Sequence, residues 1–145
     1  MKHVLTLCIG NICRSPLAQV LLARELPQHQ VWSAGLSALI GSPADPMSQQ
    51  IASEQMLDLS AHRAQQVSAP MCQLADVILV MEQSHKTWLE QQYPLVRGKV
   101  FRLGQFGAFE IEDPYRQPRA AFDAAFIAIR QGVADWAPRI RQLSA

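Results

Sequence analysis

Cys8, Cys13 and Arg14 lie close together near the start of the chain, in Cys8-Ile9-Gly10-Asn11-Ile12-Cys13-Arg14-Ser15-Pro16. A deprotonated thiol is a strong nucleophile. A guanidinium offers a planar donor fork that matches two phosphate oxygens at once, which a lysine does less well. Five residues separate Cys8 from Arg14, and a loop of that length can curl until successive backbone N–H groups face one centre. Gly10 and Asn11 tolerate the left-handed backbone that such a curl demands. Ser15 reads as a helix N-cap and Pro16 as the first helical residue, so a positive helix end points at the same centre. That field favours a thiolate on Cys8, and the Ser15 hydroxyl is placed to hydrogen-bond the sulfur. The expectation is a phosphate loop of Ile9, Gly10, Asn11, Ile12, Cys13, Arg14 and Ser15, with Cys8 as nucleophile and Arg14 as phosphate clamp.

A cysteine and an arginine at this spacing arise easily by chance. The apolar run before Cys8 and the helix signal after Arg14 separate the segment from a buried structural cysteine beside a surface arginine. The absence of Gly-Lys-Ser/Thr excludes an ATP-binding Walker loop. If the scissile ester is that of a phenol, whose pKa is about 10, an acid must protonate the leaving group. Asp113, in Glu110-Ile111-Glu112-Asp113-Pro114-Tyr115, is the candidate, because Pro114 stiffens the adjoining backbone. Asp-Pro is also a common turn pair, and Glu112 is a competing acid beside it.

These residues need a scaffold. His3 to Cys8 reads as a strand buried on both faces, followed by a helix with Leu17, Val20 and Leu21 on one side. Gln30 to Ala34 is a second strand. Asp45-Pro46 opens a helix with Ala52, Met56 and Leu59 on one face. Val77 to Met81 is the clearest central strand. A helix covers about 84–92, Val100 to Leu103 is a fourth strand, and 104–116 is a long loop. Phe122, Phe126, Ile129, Val133, Trp136 and Ile140 then recur at helical spacing. Strands alternating with helices predict an α/β fold, with a parallel sheet covered by helices on both faces. In such a sheet ligands bind beyond the carboxyl ends of the strands, which is where Cys8 to Ser15 falls.

The 145 residues are 49% hydrophobic and 17% charged, consistent with one globular domain spanning 1–145. A formal net charge of +1 gives no bulk attraction to nucleic acid or anionic membranes. No apolar run approaches the roughly 20 residues needed to cross a bilayer, so no membrane insertion is expected. The apolar start ends at Cys8 without a signal-peptide cleavage site. Three cysteines at irregular spacing suit a reducing compartment rather than a disulfide framework, and the expected location is cytoplasmic. Three cysteines and four histidines show no metal-ligand spacing; neither a metal nor another cofactor is expected.

The chain resembles the low-molecular-weight protein tyrosine phosphatases over essentially its whole length. Gly-Asn-Ile-Cys-Arg-Ser-Pro at 10–16 matches the family's N-terminal signature, and Asp113-Pro114 matches its late acid motif. Ser33-Ala34-Gly35 and His62-Arg63-Ala64-Gln65 are similar to family segments between them. The resemblance is strongest to the bacterial branch that accompanies tyrosine autokinases of capsule and exopolysaccharide synthesis, through Ser33 to Leu39 and Asp113-Pro114-Tyr115-Arg116. Animal members carry two adjacent tyrosines where Tyr115-Arg116 stands, so regulation through a tyrosine pair is not expected. The resemblance implies a four-stranded parallel sheet and Asp113 as general acid and base. It further implies a substrate pocket lined by Ile9, Leu39 and Tyr115, and a phosphotyrosine protein, such as a polysaccharide-export autokinase, as partner. It also implies that Cys13 can trap an oxidised Cys8 as a disulfide, against a plain packing role.

Cys72 is expected to be a helix or core residue, and His62 and Arg63 to anchor a loop. An arsenate reductase on the same fold would need resolving cysteines in mid-chain, where Cys72 has no second partner. A non-catalytic phosphotyrosine-binding module would have lost the nucleophile or the acid, and Cys8 and Asp113 are both present.

Overall fold

The computed structural model describes residues 2–144. Its strands are β1 (His3–Cys8), β2 (Gln30–Gly35), β3 (Val77–Val80) and β4 (Val100–Arg102). Its α-helices are α1 (Arg14–Glu25), α2 (Pro46–Glu54), α3 (Ala69–Leu74), α4 (Gln83–Gln92) and α5 (Arg119–Leu143). The four strands form one sheet in the order β2-β1-β3-β4, and each neighbouring pair is parallel.

Strand alternation divides the core in two. Val4 and Cys8 of β1, with Val77 and Leu79 of β3, pack beneath α1, α2 and α5. Leu5, Leu7, Ile78 and Val80 face the opposite way, toward Cys72 of α3 and Leu89 of α4. Successive side chains on a strand point to opposite faces, so an unbroken apolar run can serve two cores. The six-residue stripe of the last helix is buried in full, from Phe122 to Ile140. Pro138 lies inside that helix. Its missing N–H removes a backbone bond, and burial of the flanking Trp136, Ala137 and Ile140 carries the helix through.

Several boundaries differ from the sequence reading. Helix α1 begins at Arg14 with Cys13 in the N-cap position and no side-chain cap. Ser15 is therefore not the cap, nor Pro16 the first helical residue; the Ser15 hydroxyl is engaged elsewhere. Helix α2 has the expected Asp45 cap, whose carboxylate accepts from the Met47 N–H at 2.9 Å. It ends at Glu54, and Met56, with φ 61°, is 96% exposed. Left-handed backbone ends a helix, so Met56 shares no helical face with Ala52, and the buried Leu59 reaches the core from beyond the helix. Cys72, expected to be a helix or core residue, is both: it lies in helix α3, whose bounds the sequence did not mark, and is completely buried. Ser68 caps that helix by accepting from the Met71 N–H.

Candidate active site

The loop after β1 is held from outside by its carbonyls. Those of Cys8, Ile9 and Gly10 accept the N–H groups of Leu36, Ser37 and Leu39 at 2.9, 3.0 and 3.1 Å. That of Ile12 accepts the Asp45 N–H at 2.9 Å, and that of Asn11 lies 2.7 Å from His62 Nε2. Among the described residues, the amides of Gly10 to Cys13 have no acceptor in the protein. Buried amides are rarely left without partners. A loop whose carbonyls are all bound outward and whose amides are unclaimed is built for an anion.

Asn11 sets the curl. It is fully buried at φ 59°, a region that asparagine tolerates better than most residues. Its Oδ1 accepts the Gln65 N–H at 2.9 Å, while its Nδ2 donates to Ser15 Oγ at 2.8 Å and Ser33 Oγ at 3.0 Å. Ser33 Oγ in turn donates to Gln19 Oε1 at 2.7 Å. The Ser15 oxygen is thus occupied by Asn11, and its hydroxyl lies 3.0 Å from Cys8 Sγ. Serine in the first turn of α1 serves the sulfur and the loop instead of capping the helix.

Arg14 is 1% exposed. Its Nη1 donates to Glu82 Oε2 at 2.6 Å and to the Ile111 carbonyl at 2.8 Å. Its Nη2 is 3.6 Å from Asp113 Oδ2, and its Nε, also buried, has no partner among the described residues. One end of the fork is therefore fixed by protein, and the Nε–Nη2 edge is left for a ligand. His85 Nε2 lies 3.3 Å from the same Glu82 oxygen. Burial, and then the Arg14 charge, hold the His85 imidazole below its usual pKa despite the acidic neighbour. Glu82 therefore faces a neutral imidazole on one side and a guanidinium on the other. Neither Glu82 nor His85 was singled out from sequence. Their signal was a lone carboxylate just after a buried strand, which is weak until Arg14 is seen to reach it.

Asp113 reaches the loop from far along the chain. The Ile111 N–H donates to the Met81 carbonyl at 3.0 Å, tying the long loop to the end of β3. The Asp113 carboxylate accepts the Tyr115 N–H at 3.1 Å. Glu112 does not line the cavity around Cys8; it borders another hollow with Glu82 and Glu110. The cavity itself, about 320 Å³, is lined by Cys8, Ile9, Leu39, Asp113, Tyr115 and Arg116, among others. Ile9, Leu39 and Tyr115 are each partly exposed at its mouth. Cys13 sits inside the loop as a free thiol, and burial, followed by the Asp45 charge, pushes its pKa well up. His62 holds the loop at Asn11, and Arg63 donates to the nearby Ser60 and His62 carbonyls. No group of His, Cys, Asp and Glu suited to a metal occurs among the described residues.

The family model for low molecular weight phosphotyrosine protein phosphatases matches residues 3–144. The chain belongs to that family. Among its relatives, the probable low molecular weight protein-tyrosine-phosphatase EpsP of Ralstonia nicotianae is 47% identical over 143 residues, 99% of each chain. The low molecular weight protein-tyrosine-phosphatase Wzb of Escherichia coli K12 is 43% identical over 137 residues, 94% of this chain and 93% of the relative. Vibrio vulnificus Wzb, solved in complex with benzylphosphonate, superposes with a TM-score of 0.92 at 40% identity, over 95% of this chain and 98% of that one. The four-stranded parallel sheet expected from sequence is the fold of this phosphatase family.

Proposed function

We propose that this low molecular weight phosphatase hydrolyses phosphotyrosine in proteins through a phosphocysteine intermediate. The observation that carries the reading is the unclaimed row of amides from Gly10 to Cys13, beside the open Nε–Nη2 edge of Arg14. Cys8, as thiolate, attacks phosphorus in line; the S–P bond forms as the P–O bond to the phenol breaks, and Asp113 gives the phenolate its proton. Asp113, now a carboxylate, takes a proton from water as that water attacks phosphorus. The S–P bond then breaks, releasing phosphate and restoring the thiolate. Arg14 and the loop amides from Ile9 to Ser15 hold the equatorial oxygens through both steps. The Ser15 hydroxyl donates to the sulfur whenever it is charged.

Ile9, Leu39 and Tyr115 offer an apolar collar for an aryl ring. The benzylphosphonate complex of the Vibrio relative supports an aromatic substrate. The bacterial branch, to which EpsP and Wzb belong, suggests the partner: the phosphotyrosine tail of a polysaccharide-export autokinase. No described helix is long and apolar enough to cross a membrane, and three free thiols suit a cytoplasmic site of action.

The test is hydrolysis of aryl phosphates in the presence of a chelator. Wild type should turn over, and Cys8→Ser should not, while still binding vanadate through the amides and Arg14. Asp113→Asn should lose about 10²-fold or more on esters of poorly acidic phenols and far less on nitrophenyl esters. Turnover by Cys8→Ser, or a greater loss from Glu112→Gln than from Asp113→Asn, would overturn the assignment.

A further inference from the structure

Arg116 stands at the mouth of the same cavity without an assigned role. The Gln117 N–H donates to the Pro114 carbonyl at 2.9 Å, closing a four-residue turn with Arg116 at its third position. Arg116 has φ 62°, the left-handed conformation that this turn position ordinarily gives to glycine or asparagine. The other left-handed positions have plain explanations. Met56 and Ala108 end helical turns, and Asn11 shapes the phosphate loop. Arg116 alone puts a long cation where a small residue would sit without strain, and it does so beside the catalytic cavity. Strained backbone of this kind is tolerated where a site requires it.

The guanidinium is also held in place. Its Cζ lies 5.1 Å from the centre of the Tyr115 ring, stacked over a residue of the aryl collar. Among the described residues no carboxylate lies within ion-pairing distance of it. Among the described arginines only Arg14, matched by Glu82, and Arg119, matched by Glu54 and Asp123, have such partners. What sets Arg116 apart from the other unpaired arginines is its place on the cavity, which it shares only with Arg14. Arg14 faces the floor of the cavity and takes the scissile phosphate. Arg116, exposed at the rim, is free to meet a second negative group.

We propose that Arg116 is a specificity residue that selects phosphotyrosine flanked by another anion, either a carboxylate or a second phosphate. This rests on the phosphotyrosine hydrolysis proposed above. A phosphotyrosine ring seated between Ile9, Leu39 and Tyr115 brings its neighbouring residues past the rim, within reach of a guanidinium that stacks on the collar itself. The overall charge of +1 supplies no long-range preference for acidic peptides, so discrimination falls to this local cation.

Matched peptides test this. One pair carries phosphotyrosine beside Glu or Gln; a second carries it beside phosphotyrosine or Phe. Para-nitrophenyl phosphate is assayed in parallel. Wild type should favour the anionic member of at least one pair by about two- to fivefold in kcat/KM, the range of an exposed ion pair, and chiefly through KM. Arg116→Asn keeps the left-handed backbone accessible and removes the cation, so it should level both pairs. Arg116→Lys should keep part of the preference. A preference for the second pair alone identifies phosphate as the anion read, and one for the first pair alone identifies carboxylate. No preference in wild type, or one that survives in Arg116→Asn, would overturn the proposal while turnover of para-nitrophenyl phosphate leaves the phosphatase reading standing. Loss of all turnover in wild type would remove both.

Discussion

Arg14 carries a full positive charge with almost no contact with water, and the short contact that compensates it is Glu82 at 2.6 Å. Burying a charge is costly unless it is paired and hydrogen-bonded. Glu82 therefore does more than balance the charge. By holding Nη1 together with the Ile111 carbonyl, it decides which edge of the fork faces the cavity. Glu82→Gln keeps an acceptor but removes the charge and allows the amide to turn. We expect kcat/KM on aryl phosphates to fall about tenfold, equivalent to ~1.4 kcal/mol of transition-state stabilisation. Inhibition by inorganic phosphate should weaken in parallel, since both read the same edge. Unchanged phosphate inhibition would mean that the Ile111 carbonyl alone orients the guanidinium.

Elements matter here through where they end. β1 delivers Cys8, β2 ends alongside it at Gly35, and β3 ends at the anchor for the loop that carries Asp113. Gly35 is required by close approach. A Cβ there would lie 2.5 Å from the Ile9 carbonyl oxygen and 3.0 Å from Ala38 Cα. Both are backbone, so neither can swing aside. Gly35→Ala must displace the first residue of the loop after β1 or the segment that binds its carbonyls. The expected result is a loss of about 1–3 kcal/mol in unfolding free energy, as for overpacked sites, with a raised KM for aryl phosphates. A variant with wild-type KM and stability would show that the loop tolerates a shift at this point.

On the scale of the whole molecule, stability should depend on pH through His85. Its imidazole is buried and faces Arg14, Glu82, Asp113 and Glu110, and burial with the Arg14 charge depresses its pKa from the usual 6.5. The unfolded chain binds a proton there below pH 6.5 and the folded chain does not, so protons favour unfolding in that window. The contribution is fully present above pH 6.5 and is lost as pH falls toward the depressed value. Urea unfolding of wild type between pH 7.5 and 5.5 should show declining stability, and His85→Gln should flatten the decline. An equally steep decline in the variant would assign the effect to other groups.

Legibility from sequence followed the range of the forces involved. Alternating apolar strands and the spacing of Phe122 to Ile140 reflect burial within single elements, so the parallel sheet and its last helix could be read directly. The tight loop after β1 was equally plain, because Cys8, Gly10, Asn11, Arg14 and Ser15 act on one another within one turn of chain. The bounds of helix α3 around Cys72 were hidden because six residues are too few to show a period. The start of α1 was misplaced because Ser15 has two possible uses, and only Asn11 and Cys8 in three dimensions decide between them. What the amino-acid order could not supply was the convergence of distant segments on the loop. Leu36 to Leu39, Asp45 and His62 turn its carbonyls outward, Glu82 and Ile111 aim Arg14, and Arg116 returns to the rim. Each of those contacts crosses tens of residues. Such pairings leave no periodicity in the chain, because they are fixed by how strands end beside one another once the sheet has formed.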